Sequence, residues 1–279
     1  MIQWYPGHMA KSMRSIEDNV KRVDLIVYVL DARAPESTRN PQFDRLAGKP
    51  VVYALNKTDL ADPAATAKFV RRLSGGGAGV RAVALNATAS GASAALAAEA
   101  RALCADKLEK CRAKGVRATI RAMVIGVPNC GKSTLINNLA GKAKTVTGDR
   151  AGVTRGTQWV RVNDYFEVLD TPGTLYPKFT DERAAYNLAF IGSIRDEVLD
   201  TAELAQRLIE TLNGISPGLL AARYGAAVAS SEDVARARGF LLKGGLPDGE
   251  RAAAAVIDDF RKGRLGRITL DEPDAERRA

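Results

Sequence analysis

The chain has 279 residues, 46% of them hydrophobic and 26% charged, a balance that excludes disorder and leaves room for one large domain or two ordinary ones. Its three cysteines, Cys104, Cys111 and Cys130, include no C-x-x-C pair, so neither a disulfide framework nor a zinc site is expected. No signal peptide or membrane span is expected either, which leaves a reducing, cytoplasmic setting. The net charge of +9 is uneven. Residues 101–161 hold 13 Lys or Arg against 3 Asp or Glu, and residues 163–213 hold 4 against 10, which points to a polyanionic partner.

In chain order, a helical pattern over 9–21 precedes an apolar, β-branched run at 23–30 that reads as a buried strand ending on Asp31-Ala32-Arg33. A short helical pattern at 41–47 leads to a second strand, 50–55, which delivers Asn56, and then to a helix over 62–73. A third strand, 80–85, delivers Asn86-Ala87-Thr88 and is followed by a long helix over 92–113. The fourth, 119–127, opens through a glycine-rich loop into a helix over 132–140. Residues 158–162 and 165–169 read as a hairpin around Asn163-Asp164, its second arm ending on Asp170.

From about 181 the strand signal stops. Helical stretches over 181–191, 198–212, 217–224, 231–242 and 248–262 follow, punctuated by Gly214, Pro217, Gly244, Gly245 and Pro247. Residues 270–279 are polar and read as a frayed end. The expected architecture is an α/β domain over 1–178, with a doubly wound, mostly parallel sheet, followed by a small all-helical domain over 179–279.

The loop Gly126-Val127-Pro128-Asn129-Cys130-Gly131-Lys132-Ser133 fits G-x-x-x-x-G-K-[ST], the phosphate cradle of P-loop nucleotidases. Successive N–H groups there point at phosphates, aided by the positive end of the following helix. Asn129, Cys130, Gly131, Lys132, Ser133 and Thr134 are therefore expected around the phosphates, with Lys132 reaching β and γ and Ser133 ligating Mg²⁺. Asp170-Thr171-Pro172-Gly173 fits D-x-x-G: Asp170 would hold Mg²⁺ through water, and the Gly173 N–H would sense the γ-phosphate.

Asn56-Lys57-Thr58-Asp59 fits N-K-x-D. Asp59 can accept from the N1–H and exocyclic amine of guanine, whereas adenine offers it an acceptor, so it discriminates the base. Asn56 would support the base edge, Lys57 would lay its stem along the purine, and Asn86, Ala87 and Thr88 would close the pocket. Within 145–157, Thr154 is the candidate switch threonine for Mg²⁺, with Thr147 and Thr157 as rivals. In ordinary GTPases N-K-x-D follows the phosphate loop; here it precedes it, and none follows Ser133. The order reads as a circularly permuted P-loop GTPase, binding GTP or GDP with Mg²⁺.

The motif order, the opening Trp4-Tyr5-Pro6-Gly7-His8-Met9-Ala10-Lys11, Asp31-Ala32-Arg33-Ala34-Pro35 and the closing Phe260-Arg261-Lys262-Gly263-Arg264-Leu265-Gly266-Arg267 resemble ribosome biogenesis GTPase A, essentially end to end. The resemblance implies a factor acting late in large ribosomal subunit assembly, with a helical C-terminal domain that contacts rRNA. It assigns to the histidine corresponding to His8 the orientation of the attacking water; a lone histidine is otherwise a packing or surface residue. Asn129 resembles the asparagine by which potassium-dependent GTPases bind K⁺ beside the phosphates. The chain departs from the family at Ala151, where Pro is usual, and at Thr174, where an aliphatic residue is usual, with Leu175 next to it as a substitute apolar gate.

Arg261, Lys262, Arg264 and Arg267 are expected to face RNA phosphates. The partners implied are the large subunit and its rRNA, with no membrane and no zinc; a monomer is the working expectation where the sequence leaves the oligomeric state open. Two other readings compete. A P-loop kinase would have no use for N-K-T-D and would be shown by ATP displacing GTP; a scaffold with structural nucleotide would show no turnover on ribosomes.

Overall fold

The computed structural model describes residues 7–46, 48–141, 157–176 and 181–273. The expected domain border at 178, the segment carrying Thr147, Ala151 and Thr154, and residues 1–6 lie outside the described residues. Six strands, β1 (Leu25–Asp31), β2 (Val51–Asn56), β3 (Val80–Ala84), β4 (Ile120–Ile125), β5 (Gln158–Asn163) and β6 (Phe166–Asp170), form one sheet in the order β3-β2-β1-β4-β6-β5. All neighbouring pairs are parallel except the β5–β6 hairpin at the edge.

Every residue of β1 is buried, because helices cover both faces of the sheet and its side chains alternate between two cores. Ile26, Tyr28 and Leu30, with Met123 and Ile125 of β4, meet Met13 and Ile16 of helix α1 (Gly7–Asn19) and Phe69 and Leu73 of α2 (Pro63–Ser74). Leu25, Val27 and Val29, with Val124 and Val168, meet Leu96 and Ala100 of α3 (Ser93–Leu103) and Leu135 and Ile136 of α5 (Lys132–Ala140). Each such side chain fully buried contributes roughly 1.5–3 kcal/mol.

The expected long helix over 92–113 is two: α3 stops at Leu103, and α4 (Ala105–Ala113) follows a break at Cys104, φ −102° and ψ 13°. Cys104 is buried whereas no residue of α4 is, so the break falls where the chain leaves the core. The expected helix at 41–47 is a 3-10 turn, Pro41–Leu46, started by Asn40, whose Oδ1 accepts from the Gln42 N–H at 2.9 Å.

The helical part comprises α6 (Glu182–Phe190), α7 (Thr201–Ile215), α8 (Leu219–Tyr224), α9 (Ser231–Arg238) and α10 (Gly249–Arg261). Aspartates cap three of these helices: Asp181, Asp200 and Asp248 each accept from first-turn N–H groups. Helix α9 ends four residues earlier than expected, at Gly239, whose φ of 65° suits glycine. No helix among the described residues is long and apolar enough to cross a membrane.

The expected fraying from 270 does not hold for its first residues. Ile268 and Leu270 are buried, and their N–H groups donate to the carbonyls of Leu60 (3.0 Å) and Arg33 (2.7 Å). Asp271 accepts from the Ser37 N–H (2.9 Å) and Oγ (2.7 Å) and from Asn187 Nδ2 (2.9 Å). Burial pushes the Asp271 carboxyl up, and the Ser37 and Asn187 donors oppose it. Two apolar residues at strand spacing within a polar stretch are enough to dock this segment against the α/β part. The helical part is thus tied to the α/β part by its far end as well.

Candidate nucleotide-binding site

Because β1, β2, β3, β4 and β6 run parallel, their C-terminal ends share one edge of the sheet. That edge gathers Asp31, Asn56, Asn86, the loop from Gly126 and Asp170, residues far apart in sequence. Register puts Asp31 opposite Asn56 and Val124 opposite Asp170. Open α/β sheets bind ligands at this edge.

Asn56 holds three motifs together. Its buried side chain donates from Nδ2 to the Cys130 carbonyl and accepts at Oδ1 from the Ala87 N–H, each at 2.9 Å. It presses so closely on Gly131 (φ 96°) that a Cβ there would collide with Nδ2. Gly173 is similarly required, since a Cβ would lie 2.6 Å from Pro128 Cα and 3.0 Å from Lys132 Nζ. The D-x-x-G turn therefore lies directly on the phosphate loop.

Lys132 is buried, and its Nζ donates to the carbonyls of Val127 (2.9 Å) and Gly126 (3.2 Å). Ser133 and Thr134 open the first turn of α5, and Cys130 is a buried thiol whose pKa is raised by that burial, against the pull of Lys132. Asp170 is buried, and neither carboxylate oxygen has a hydrogen bond of normal geometry. Burial pushes its pKa up to about 6, with Lys132 and the Ser133 hydroxyl pulling the other way. Thr174 is buried with an unpartnered Oγ1, and Leu175 beside it joins the core.

Lys57 has partners that the sequence did not assign. At φ 63° it sends Nζ to Asp31 Oδ2 (2.9 Å) and to the Asn129 carbonyl (2.5 Å), so its ammonium is anchored in the protein. Asp31 also receives Arg33 Nε (2.9 Å) and Nη2 (2.7 Å). Burial would raise this carboxyl, but Arg33 and Lys57 overcome it and hold it well below the usual carboxylate range. Arg33, itself buried, goes on to the carbonyls of Ile191 and Arg261, both at 3.4 Å. Asn129 (φ 58°) closes the circuit, donating from Nδ2 to the Gly192 carbonyl at 2.8 Å, while Ser193 Oγ donates to the Pro128 carbonyl at 2.8 Å. Phosphate loop, N-K-T-D loop and helical part thus share one closed network. Asp31, Arg33 and Ser193 had no assigned role in the sequence; the signal for the first two was a charged pair ending a wholly apolar strand.

Asp59 is exposed in the turn after β2, and Asn86 Oδ1 accepts from the Thr88 N–H (3.0 Å) and hydroxyl (2.7 Å). His8 lies in the first turn of α1; its side chain, like Thr154, lies outside the described residues. The four C-terminal cations are engaged within the chain. Arg261 pairs with Asp196 (2.7 Å) and caps the Ala189 and Phe190 carbonyls, and Lys262 and Arg264 pair with Asp258. Arg267 donates to the Thr58 and Ala61 carbonyls. Arg261 and Arg267 thus have structural partners within the chain, while Lys262, Arg264 and Arg267 stay exposed.

A family described as 50S ribosome-binding GTPase matches residues 121–217. That block starts at β4 and leaves N-K-T-D outside it, as the rotated order requires. Ribosome biogenesis GTPase A of Priestia megaterium is 39% identical, over 98% of this chain and 97% of the relative. Mitochondrial ribosome-associated GTPase 1 of Mus musculus is 33% identical, over 97% and 90%. Among solved structures, GDP-bound YlqF matches with a TM-score of 0.66 and 32% identity, covering 94% of this chain and 100% of that one. GNP-bound YlqF from T. maritima gives a TM-score of 0.63 at 31% identity, over 95% and 100%. With this likeness running through both parts and N-K-T-D lying ahead of the glycine-rich loop and D-T-P-G, the chain belongs to the ribosome biogenesis GTPase A family, and it is a circularly permuted GTPase that binds and hydrolyses GTP.

Proposed function

We propose that this GTPase binds the large ribosomal subunit late in its assembly and hydrolyses GTP there, switching its hold on the subunit with nucleotide state. The names of its relatives, one of ribosome biogenesis and one of the mitochondrial ribosome, support a ribosomal partner. The observation that carries the switching reading is the direct seat of the helical part on the phosphate loop, through Asn129–Gly192 and Ser193–Pro128. A phosphate entering that loop acts on the helical part without an intermediary.

Asp59 reads guanine, Asn56 and Lys57 hold the base loop against the phosphate loop, and Asn86, Ala87 and Thr88 line the pocket. Lys132 exchanges the Gly126 and Val127 carbonyls for the β- and γ-phosphates, a stronger, charge-assisted set of partners. A buried carboxylate whose neighbours do not offset its burial is costly unless a cation meets it. Asp170 therefore fits Mg²⁺, with the Ser133 hydroxyl beside it and Thr154 as the switch ligand. When bound, Mg²⁺ neutralises charge on the transferring phosphate. Asn129 fits K⁺, because its Nδ2 is committed to Gly192 and the oxygen end of the amide has the chemistry of a ligand. The Gly173 N–H senses the γ-phosphate, and His8 orients the attacking water. The domains divide near 178 into GTPase and ribosome-binding parts.

The test is GTP turnover by the free protein and with isolated large or small subunits, in K⁺ and in Na⁺. Slow free turnover, stimulated by large subunits in K⁺, is expected. Equal stimulation by small subunits, or none by either, overturns the reading.

A further inference from the structure

Strand β5 shows its two faces differently. Val160 is buried in the core shared with α5, while Trp159 and Arg161, which alternate with it, are exposed. Trp159 keeps 36% of its surface in solvent at a sheet edge. Two guanidinium groups, Arg22 from the end of the first helical segment and Arg121 from β4, stand 5.9 Å from its ring centroid. That is the outer limit of cation–π range, so they stand over the ring only loosely and leave more than a third of the residue exposed. Arg121 and Arg161 sit with side chains 55% and 65% exposed, and Lys21 and Arg22 are also exposed. The acids on this face, Glu167 and Asp164, make solvent-exposed pairs with Arg121 (3.3 Å) and Arg161 (2.9 Å). Such exposed pairs exchange readily for phosphate oxygens.

A part-exposed aromatic ring among loosely held cations is the arrangement that single-stranded nucleic acid uses: the base stacks, and the backbone tracks the charge. A duplex keeps its bases stacked on one another and cannot use the ring. A protein partner would be served by an apolar rim, whereas this rim is cationic.

We propose that this face of β5 and β6 binds unpaired RNA, with a base stacked on Trp159 and adjoining phosphates held by Arg22, Arg121 and Arg161. The proposal rests on the reading of a ribosomal partner and names a second contact, on the GTPase part itself. Its place has a consequence for the nucleotide. In the β5–β6 register Trp159 lies opposite Leu169, and Gln158 lies opposite Asp170. RNA seated on the ring therefore rests on the hairpin that carries Asp170.

The chain has two tryptophans, so Trp4→Phe leaves Trp159 as the sole indole reporter. A short single-stranded RNA should quench Trp159 emission in that protein, and a blunt duplex of the same length should not. In filter binding with otherwise wild-type protein, Trp159→Ala should weaken single-strand affinity by at least about fivefold, the lower end of one lost base stack, and Trp159→Phe should restore most of it. GTP affinity should be unchanged in both. If the wild-type chain binds large subunits but Trp159→Ala binds single-stranded RNA normally, the surface is wrong and the ribosomal reading stands. If Trp159→Ala weakens subunit binding while RNA neither quenches nor binds, the face meets protein and the RNA proposal falls. If the wild-type chain binds neither subunits nor RNA, both readings fall.

Discussion

The carboxylate of Asp31 and the ammonium of Lys57 meet at 2.9 Å across the ends of β1 and β2. Lys57 simultaneously reaches the Asn129 carbonyl, and Asp31 simultaneously holds Arg33. One buried carboxylate thus couples the N-K-T-D loop, the loop from Gly126 and, through Arg33, the turn at Ile191. The left-handed backbone at Lys57 is strained for a residue with a long side chain, and this pairing is what holds it.

Asp31→Asn should destabilise the protein by about 3–5 kcal/mol, because it leaves the buried Arg33 without its counter-charge. The sign with pH follows from the depressed carboxyl. Its stabilisation is fully present above the unfolded value, about 3.9, and is lost only as pH falls through the lower folded value. Urea denaturation of wild type and variant should therefore show the same gap at pH 7 and pH 5, narrowing only in strong acid.

Asp59 is exposed and bonded to nothing that the fold depends on, so Asp59→Asn should leave stability within about 0.5 kcal/mol. Competition binding should show weakened GTP and strengthened xanthine nucleotide, whose extra carbonyl accepts from the new amide. Unchanged GTP affinity would remove Asp59 from the base pocket.

His8→Ala should abolish subunit-stimulated hydrolysis, with turnover falling by about 10²–10⁴-fold, the range for a lost proton-transfer group. GTP affinity should stay nearly constant, because the residue acts on the water rather than on bound GTP. Single-turnover assays with large subunits and K⁺ decide it, and full stimulated turnover would return His8 to a structural part of the first turn.

Asp170→Asn should stabilise the nucleotide-free protein by about 1–2 kcal/mol, read as a higher melting temperature, since it removes a carboxylate whose burial outweighs the pull of its neighbours. The same variant should lose the extra stability that Mg²⁺-GTP confers on wild type. Calorimetry with and without Mg²⁺-GTP reads both effects.

The sheet and the location of the site were legible because each motif follows a strand, and parallel strands deliver their C-terminal ends to one edge. The Asn163-Asp164 hairpin was legible from its turn chemistry. The break at Cys104 was not, because the apolar pattern on both sides of it suits one helix, and only the departure of α4 from the core separates them. Arg33, Arg261 and Arg267 were not legible as structural groups. A cationic side chain looks the same in sequence whether it meets a phosphate or a carbonyl, and only the fold supplies Ile191, Ala189 and Thr58 as acceptors. Leu270 was missed for the opposite reason: it and Ile268 are the two apolar residues that dock an otherwise polar segment.

Arg267 braces the N-K-T-D turn through the Thr58 carbonyl, 209 positions away in the chain. A second link, from the Ile268 N–H to the Leu60 carbonyl, completes the brace. During translation the turn therefore emerges long before its support does. A nascent chain, or a product truncated ahead of Arg267, carries each sequence motif yet has no strut behind its N-K-T-D turn. The N-K-T-D turn is in this way completed only once synthesis has passed the helical part.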